Sequence, residues 1–147
     1  MRLSFAIPAT LVIALLALDR PASAQGYTDW KLAGKVDCTK HDDSSIRCLL
    51  SGENYPSGTL TITNSHASAV TFTWDEWHSA CGFKGGLVQS KTAQIGAHET
   101  KVFSLLSPGN PITCREVFLH NCKAGAAELK CPQVLSGTGQ MYTGNKQ

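Results

Sequence analysis

The stretches TLTITN at residues 59–64 and VTFTW at residues 70–74 decide the fold class. In both, apolar residues alternate with threonines, so that Leu60 and Ile62 share one face of an extended chain. Such alternation is typical of half-buried strands, and threonine, valine and aromatic residues suit their pleated surface. The intervening NSHAS at 64–68 is rich in turn-forming residues. The two stretches therefore predict a β-hairpin.

Four further stretches combine apolar and β-branched residues with nearby turn signals, at residues 36–41, 46–50, 86–95 and 101–106. Short strands at such intervals predict an all-β, single-domain antiparallel β-sandwich. The cadence of strands and turns from LTITN through VTFTW to IGAHETKVFSL resembles that of bacterial immunoglobulin-like sandwiches. This resemblance implies an immunoglobulin-like fold class and no function.

The run TCREVFLHNC at residues 113–122 has two interpretations. Thr113 and Glu116 fit a helical capping box, and the apolar residues and cysteines that follow fall at helical spacing. The same run also suits a strand, which we favour because short strands precede it at sandwich-like intervals. AGAAELK at 124–130 allows a single helical turn, so one short helix is possible near residues 113–130.

The first 24 residues have the pattern of a secretory signal peptide. Arg2 is followed by an apolar run at residues 5–18, and Ala22-Ser23-Ala24 resembles a cleavage signal. The predicted organisation is a signal peptide at 1–24, a β-sandwich domain at 25–135 and a flexible, polar, glycine-rich tail at 136–147. We therefore expect an exported protein, located in the periplasm or outside the cell.

Charge and hydropathy argue against two classes of partner. The formal net charge of the chain is +2, and no basic block stands out. Nucleic-acid and anionic-membrane binders concentrate lysine and arginine on one surface, so we expect neither partner. The apolar run at 5–18 is shorter than the roughly 20 residues of a spanning helix, and no second run follows it.

All six cysteines follow residue 24, and an even number in a small exported chain predicts disulfides. Cys114 and Cys122 lie eight residues apart in a stretch without glycine or proline. Their α-carbons would be about 26 Å apart in a strand, whereas a disulfide needs about 7 Å or less. The simplest remaining scheme joins sequence neighbours as Cys38–Cys48, Cys81–Cys114 and Cys122–Cys131.

The stretch WDEWHSACG at residues 74–82 concentrates side chains that carry chemistry. His78 and Cys81 have the H-x-x-C spacing of metal ligands, and Asp75 or Glu76 would add a carboxylate. A zinc site usually needs four ligands and a thiolate, and nucleophilic catalysis by Cys81 needs the same free thiol. Because an oxidising compartment favours a bridged Cys81, we expect no catalytic residue, metal site or cofactor here.

We predict instead that this stretch is a loop that binds a partner. Trp74 continues the inward face of its strand and should belong to the core. Trp77 and Phe83 would supply apolar contacts from the loop, although Trp77 could also fold back as a lid on the disulfide. The polar rim of the surface would consist of Asp75, Glu76, His78 and Lys84.

These observations predict an exported, disulfide-stabilised binding module that is not an enzyme. It would act as an inhibitor, an accessory subunit or an envelope-associated binder, with an unidentified protein or glycan as partner. The alternative is a periplasmic metal-binding or carrier protein that uses histidines and unpaired thiols. A small hydrolase is a third interpretation, but the sequence has no G-x-S-x-G elbow to support it.

Overall fold

A computed structural model describes residues 27–51, 57–79, 85–106 and 114–146. These segments contain strands and one short helix, in the order β1 (Tyr27–Asp37), β2 (Thr39–Lys40), β3 (Ile46–Ser51), β4 (Ser57–Asn64), β5 (Val70–Ser79), β6 (Gly86–Ile95), β7 (Thr100–Ser104), β8 (Cys114–Ala124), β9 (Ala127–Glu128), α1 (Cys131–Val134) and β10 (Leu135–Lys146). Among them, no helix is both long enough and apolar enough to cross a membrane.

The strands form two antiparallel sheets. Sheet A has the order β1-β10-β4-β7, and sheet B has the order β2-β3-β8-β5-β6, with β9 paired to β8. The inward faces of both sheets contribute to one hydrophobic core. The prediction of an all-β sandwich is therefore confirmed.

The order of the strands differs from that of an immunoglobulin domain, in which the first strand lies beside the second. Here β1 pairs with β10, β3 with β8, β4 with β7 and β5 with β6. Leaving aside the two-residue strands β2 and β9, the first strand pairs with the last and each later pair is nested inside the one before it. This pairing is that of an eight-stranded jelly roll.

The predicted hairpin of residues 59–74 does not form. Its two stretches are strands β4 and β5, which belong to different sheets, so the turn between them crosses the sandwich. Asn64 holds this crossing: its side-chain amide donates to the carbonyl oxygens of Ser68 at 3.0 Å and Gly96 at 3.0 Å. Its side-chain oxygen accepts the backbone N–H of His66 at 2.9 Å. Alternation had specified the buried face of each strand but not the partner strand.

The core contains the alternating apolar residues of the central strands. Leu60 and Ile62 of β4 face Phe72 and Trp74 of β5, and all four side chains are buried. Burying a large apolar side chain contributes about 1.5–3 kcal/mol, so these residues account for much of the driving force for folding. The placement of Trp74 in the core is confirmed.

The predicted flexible tail at 136–147 is wrong, because residues 135–146 form strand β10, which pairs with β1 on one edge and β4 on the other. Its glycines lie where the chain packs closely. A Cβ atom on Gly137 would lie 2.9 Å from Cys38 Sγ, and one on Gly139 would lie 3.0 Å from Leu50 Cγ. Close packing, rather than flexibility, accounts for glycine at these two positions.

Residues 114–124 form strand β8, so the strand interpretation of this run is confirmed. Arg115 and Val117 are buried while Glu116 and Phe118 are partly exposed, which is the period-two pattern of a strand. The one short helix suggested near 113–130 lies just beyond that range, at Cys131–Val134. A turn through Gly125, whose φ is +60°, leads into β9 before this helix begins.

Two of the three predicted disulfides are present, Cys38–Cys48 and Cys122–Cys131. The first lies where the chain passes from β1 in sheet A to β2 in sheet B, and the second ties β8 to α1. Cys114 is also disulfide-bonded, while Cys81, its predicted partner, lies outside the described residues. Because disulfides persist in oxidising compartments, the bridges indicate an oxidising, exported location.

Candidate functional site

The predicted site residues lie on strand β5 rather than on a loop. This strand continues through Ser79 because β6 and β8 pair with it on both edges. Neighbouring side chains of a strand point to opposite faces, so Asp75 and Trp77 lie on the outer face of sheet B, whereas Glu76 and His78 point inward. The other two predicted site residues, Phe83 and Lys84, lie outside the described residues.

Glu76 belongs to the interior and not to a polar rim, so its predicted role is wrong. Its side chain is fully buried. Two contacts reach Oε1, the backbone N–H of Leu106 at 2.9 Å and Nε2 of His78 at 2.9 Å. Two further contacts reach Oε2, and they come from Nε2 of Gln89 at 3.2 Å and from Nε1 of Trp74 at 3.4 Å. The amide, indole and backbone groups are donors, which suits the acceptor-only carboxylate of glutamate.

This buried network connects the two sheets. Glu76 is on β5 of sheet B, whereas Leu106 follows β7 of sheet A. The hydrogen bond between them therefore ties the end of one sheet to the centre of the other. The His78 side chain is only 8% exposed and contacts the same carboxylate. Both residues are explained by the cohesion of the sandwich, so neither is available at the surface as a binding group.

The outer face of sheet B carries a row of apolar and aromatic side chains. Trp77 pairs with Leu87 on β6, and on its other side the row continues through Glu116 on β8 to Leu49 on β3. In the adjacent row Phe118 lies beside Asp75. Leu87 is 50% exposed, and the other three apolar side chains are partly exposed. We call Trp77, Leu87, Leu49 and Phe118 the sheet B patch.

An arginine–glutamate ion pair and a histidine–aspartate contact adjoin the sheet B patch. Arg47 Nη2 lies 2.9 Å from Glu116 Oε2, and His120 Nε2 lies 2.7 Å from Asp75 Oδ2. The hydrogen bond that Arg47 donates to the Glu116 carboxylate raises the pKa of the guanidinium above its already high ordinary value. All four side chains remain between 24% and 38% exposed. They therefore present polar groups in defined positions next to the aromatic rings.

Ser90, Asp75 and His120 have the residue types of a catalytic triad but not its geometry. Ser90 Oγ donates to Asp75 Oδ1 at 2.5 Å, and His120 contacts the other oxygen of the same carboxylate. In a triad the histidine lies between the serine and the acid and removes the serine proton. Here the acid lies in the middle, so the contact partner of Ser90 is a carboxylate and not an imidazole base.

The metal-ligand set suggested by the sequence is divided between two faces. His78 and Glu76 point into the core, Asp75 points outward, and Cys81 lies outside the described residues. Within the described segments, no three histidine, cysteine, aspartate or glutamate side chains are grouped so that they could hold a metal ion.

The two outer faces of the sandwich differ in composition. On sheet A, the central strands present hydroxyl and amide groups, from Thr61, Thr63, Thr138 and Gln140, together with the partly exposed ring of Tyr142. Exposed apolar side chains on that sheet occur at its edge strands, as Leu32 and Val102. On sheet B, aromatic side chains lie on the two central strands. Sequence reasoning found only Trp77 of the sheet B patch, because strand register is what joins residues from four strands.

Comparisons with known proteins assign the chain to no family. No family model matches it, and no curated protein matches it. Among solved structures, a crystal structure of PirA is similar, with 12% identity and a TM-score of 0.35, and the match covers 82% of this chain and 100% of that chain. Similarity at this level supports no inference about function.

Proposed function

We propose that this protein is an exported binding module, not an enzyme, and that it recognises a protein partner through the outer face of sheet B. The observation that carries the proposal is the contrast between the two outer faces. The central strands of sheet A present mainly hydroxyl and amide groups on their outer face, with Tyr142 of β10 as a partly exposed aromatic ring among them. The central strands of sheet B instead expose Trp77 and Phe118, with Leu87 and Leu49 beside them.

The arrangement of the sheet B patch resembles a small interface. Interfaces are enriched in aromatic residues and arginine at their centre and carry polar groups around it. Here Trp77 and Phe118 form the apolar centre, and the Arg47–Glu116 and Asp75–His120 pairs are already formed. Side chains that are held in place lose less conformational freedom on binding, so the patch is suited to contact a partner without rearrangement.

The export part of the proposal rests on two independent features. The N-terminal 24 residues have the pattern of a signal peptide, and the disulfides require an oxidising compartment. An inhibitor, an accessory subunit and an envelope-associated binder all satisfy these conditions, in the periplasm or outside the cell. Each acts by contact with another macromolecule, which is the role that the sheet B patch supports.

Paired capture experiments test the proposal. The oxidised protein and its Trp77→Ala variant serve as baits for an extract of the source organism, and the affinity for each captured protein is then measured. Loss of a central aromatic contact costs about 2 kcal/mol or more, which is about thirtyfold in affinity. Phe118→Ala should weaken the same interaction.

Val102→Ala is the matched control, because this side chain is 62% exposed on the outer face of the opposite sheet. It should leave the affinity unchanged. Circular dichroism establishes that each variant is folded before it is compared. A partner bound equally by the wild type, Trp77→Ala and Phe118→Ala would show that the sheet B patch is not the interface.

A further inference from the structure

A shallow pocket opens on the outer face of sheet A, on the opposite side of the sandwich from the sheet B patch. Its volume is about 270 Å³. It is lined by Asp37 at the end of β1, Thr61 and Thr63 of β4, and Ser136 and Thr138 of β10. Cys38 and Gly137 complete the lining among the described residues, which includes no aromatic side chain and no lysine or arginine.

The path of the chain creates this pocket. Strand β1 follows β10 as far as the pairing of Asp37 with Thr138, and the chain then leaves for sheet B. The N–H of Cys38 donates to the carbonyl oxygen of Gly137 at 2.9 Å at the point of departure. Beyond it, β4 is the one neighbour of β10 among the described strands, as in the pairing of Ser136 with Thr63. The departure of β1 leaves the pocket beside β10.

The hydrogen bonds around the pocket determine what it offers a ligand. Thr61 Oγ1 donates to Gln140 Oε1 at 3.3 Å, and Thr138 Oγ1 donates to Asp37 Oδ1 at 3.4 Å. A hydroxyl has one proton and two lone pairs, so these two threonines present lone pairs to the pocket. The carboxylate of Asp37 is also an acceptor. The pocket is therefore rich in acceptors and carries one negative charge.

We propose that this pocket binds a small neutral polyol of monosaccharide size. Such a ligand supplies several hydroxyl donors, and its C–H groups contact the threonine methyl groups. The acceptors lie in two rows on neighbouring strands, about 4.8 Å apart, which suits donors spread over a ring better than one compact cation. An anionic ligand is disfavoured by Asp37, and the described part of the lining offers it no cation.

Amide chemical shifts of the ¹⁵N-labelled protein, titrated with glucose, galactose and mannose, test the proposal. At least one of these hexoses should shift the amides of Asp37, Thr61, Ser136 and Thr138, with a dissociation constant in the millimolar range. That weak affinity follows from the small number of ligand atoms and the open shape of the pocket. Gluconate, the anionic control, should leave the same amides unshifted.

Two variants alter the acceptors without changing side-chain volume much: Thr138→Val removes a hydroxyl, and Asp37→Asn removes the negative charge and replaces one acceptor oxygen with a donor. Thr138→Val and Asp37→Asn should each weaken binding of the hexose by about tenfold, the equivalent of one hydrogen bond. Thr92→Val is the control, because Thr92 is an exposed threonine on β6 of the opposite sheet. It should bind the hexose as the wild type does. Valine suits strands, so both threonine variants should fold.

Three results would overturn the proposal. In the first, none of the hexoses shifts the amides of the pocket. In the second, Thr138→Val and Thr92→Val bind the hexose equally well, so that the contact lies elsewhere. In the third, ethylammonium shifts these amides while the hexoses do not, which would make the ligand a compact cation. The sheet B patch is unaffected by these variants, so the two proposals stand or fall separately.

Discussion

Replacing Glu76 with alanine should destabilise the fold severely, although this residue lies within a stretch that reads as a polar surface in the sequence. Its fully buried carboxylate holds the backbone N–H of Leu106 and the ring of His78, each at 2.9 Å. Alanine would leave these groups without their partner and would open a cavity beside Trp74, whose indole contacts the same carboxylate at 3.4 Å.

The expected loss follows from the two short contacts. A hydrogen bond to a charged group contributes about 1.5–3 kcal/mol, and a buried donor left unsatisfied costs about as much. Because Gln89 and Leu106 are close enough to the surface for water to reach part of the cavity, we expect a total of about 3–5 kcal/mol. Domains are stable by only about 5–15 kcal/mol, so Glu76→Ala would remove a large part of the stability.

Urea denaturation of the oxidised protein, followed by tryptophan fluorescence, measures this loss. The midpoint should fall while the slope of the transition stays the same. Glu76→Gln preserves the volume and one acceptor oxygen, so its loss should be intermediate. The control is Asp75→Ala, one residue away on the outer face, where the side chain is 24% exposed and pairs with His120.

A partly exposed polar pair contributes about 1 kcal/mol or less, so Asp75→Ala should be clearly milder than Glu76→Ala. Equal destabilisation by the two variants would refute the reasoning. It would mean that the burial of Glu76 and the exposure of Asp75, on opposite faces of β5, make no difference to stability. A Glu76→Ala protein as stable as the wild type would show that this carboxylate lies at the surface and not in the core.

The remaining predictions concern the rest of the framework. Deleting residues 136–147 should abolish cooperative thermal unfolding, because β10 lies between β1 and β4; a truncated protein with a normal melt would show that this strand is dispensable. Reduction of the disulfides should lower the melting temperature markedly, since loss of a native bridge costs about 2–5 kcal/mol, and an unchanged melt after verified reduction would contradict this. Gly137→Val should lower the urea midpoint, because a Cβ atom there would lie 2.9 Å from Cys38 Sγ, whereas Gly86→Val, at a site with open space, should not. The hydrogen bond from the backbone N–H of Ser44 lowers the pKa of Asp42, so the Asp42 carboxyl carbon should titrate below the ordinary aspartate range in an NMR titration. The stability that this group contributes is fully present above the ordinary range and is lost as the pH falls through the lowered pKa. A titration midpoint at or above the ordinary range would refute this prediction.

The sequence by itself determined which side chains of each strand are buried. The alternation in 59–64 and 70–74 correctly assigned Leu60, Ile62 and Trp74 to the core, because the direction of a side chain relative to its own backbone is a local property of an extended chain. The spacing of cysteines was also sufficient for Cys38–Cys48 and Cys122–Cys131, since the reach of the chain limits which cysteines can meet.

Only the tertiary structure decided which strands are neighbours. Alternation marks the buried face of β4 and β5 equally well in a hairpin and in a crossing between sheets, and the jelly-roll order depends on contacts between distant segments. The same applies to β10: its glycines suggested a flexible tail, but they are explained by the closeness of Cys38 and Leu50.

The candidate site shows the same division. The alternation that places Trp74 in the core would also place Glu76 there and Asp75 outside, but only in a strand that continues past Trp74. The sequence analysis placed both carboxylates on a loop, because no local signal indicated that β5 extends through Ser79. The sheet B patch joins residues from β3, β8, β5 and β6, and the sequence of any one of these strands does not indicate the patch. Side-chain direction is set within a few residues, whereas the register that aligns four strands is set by the packing of the whole sandwich.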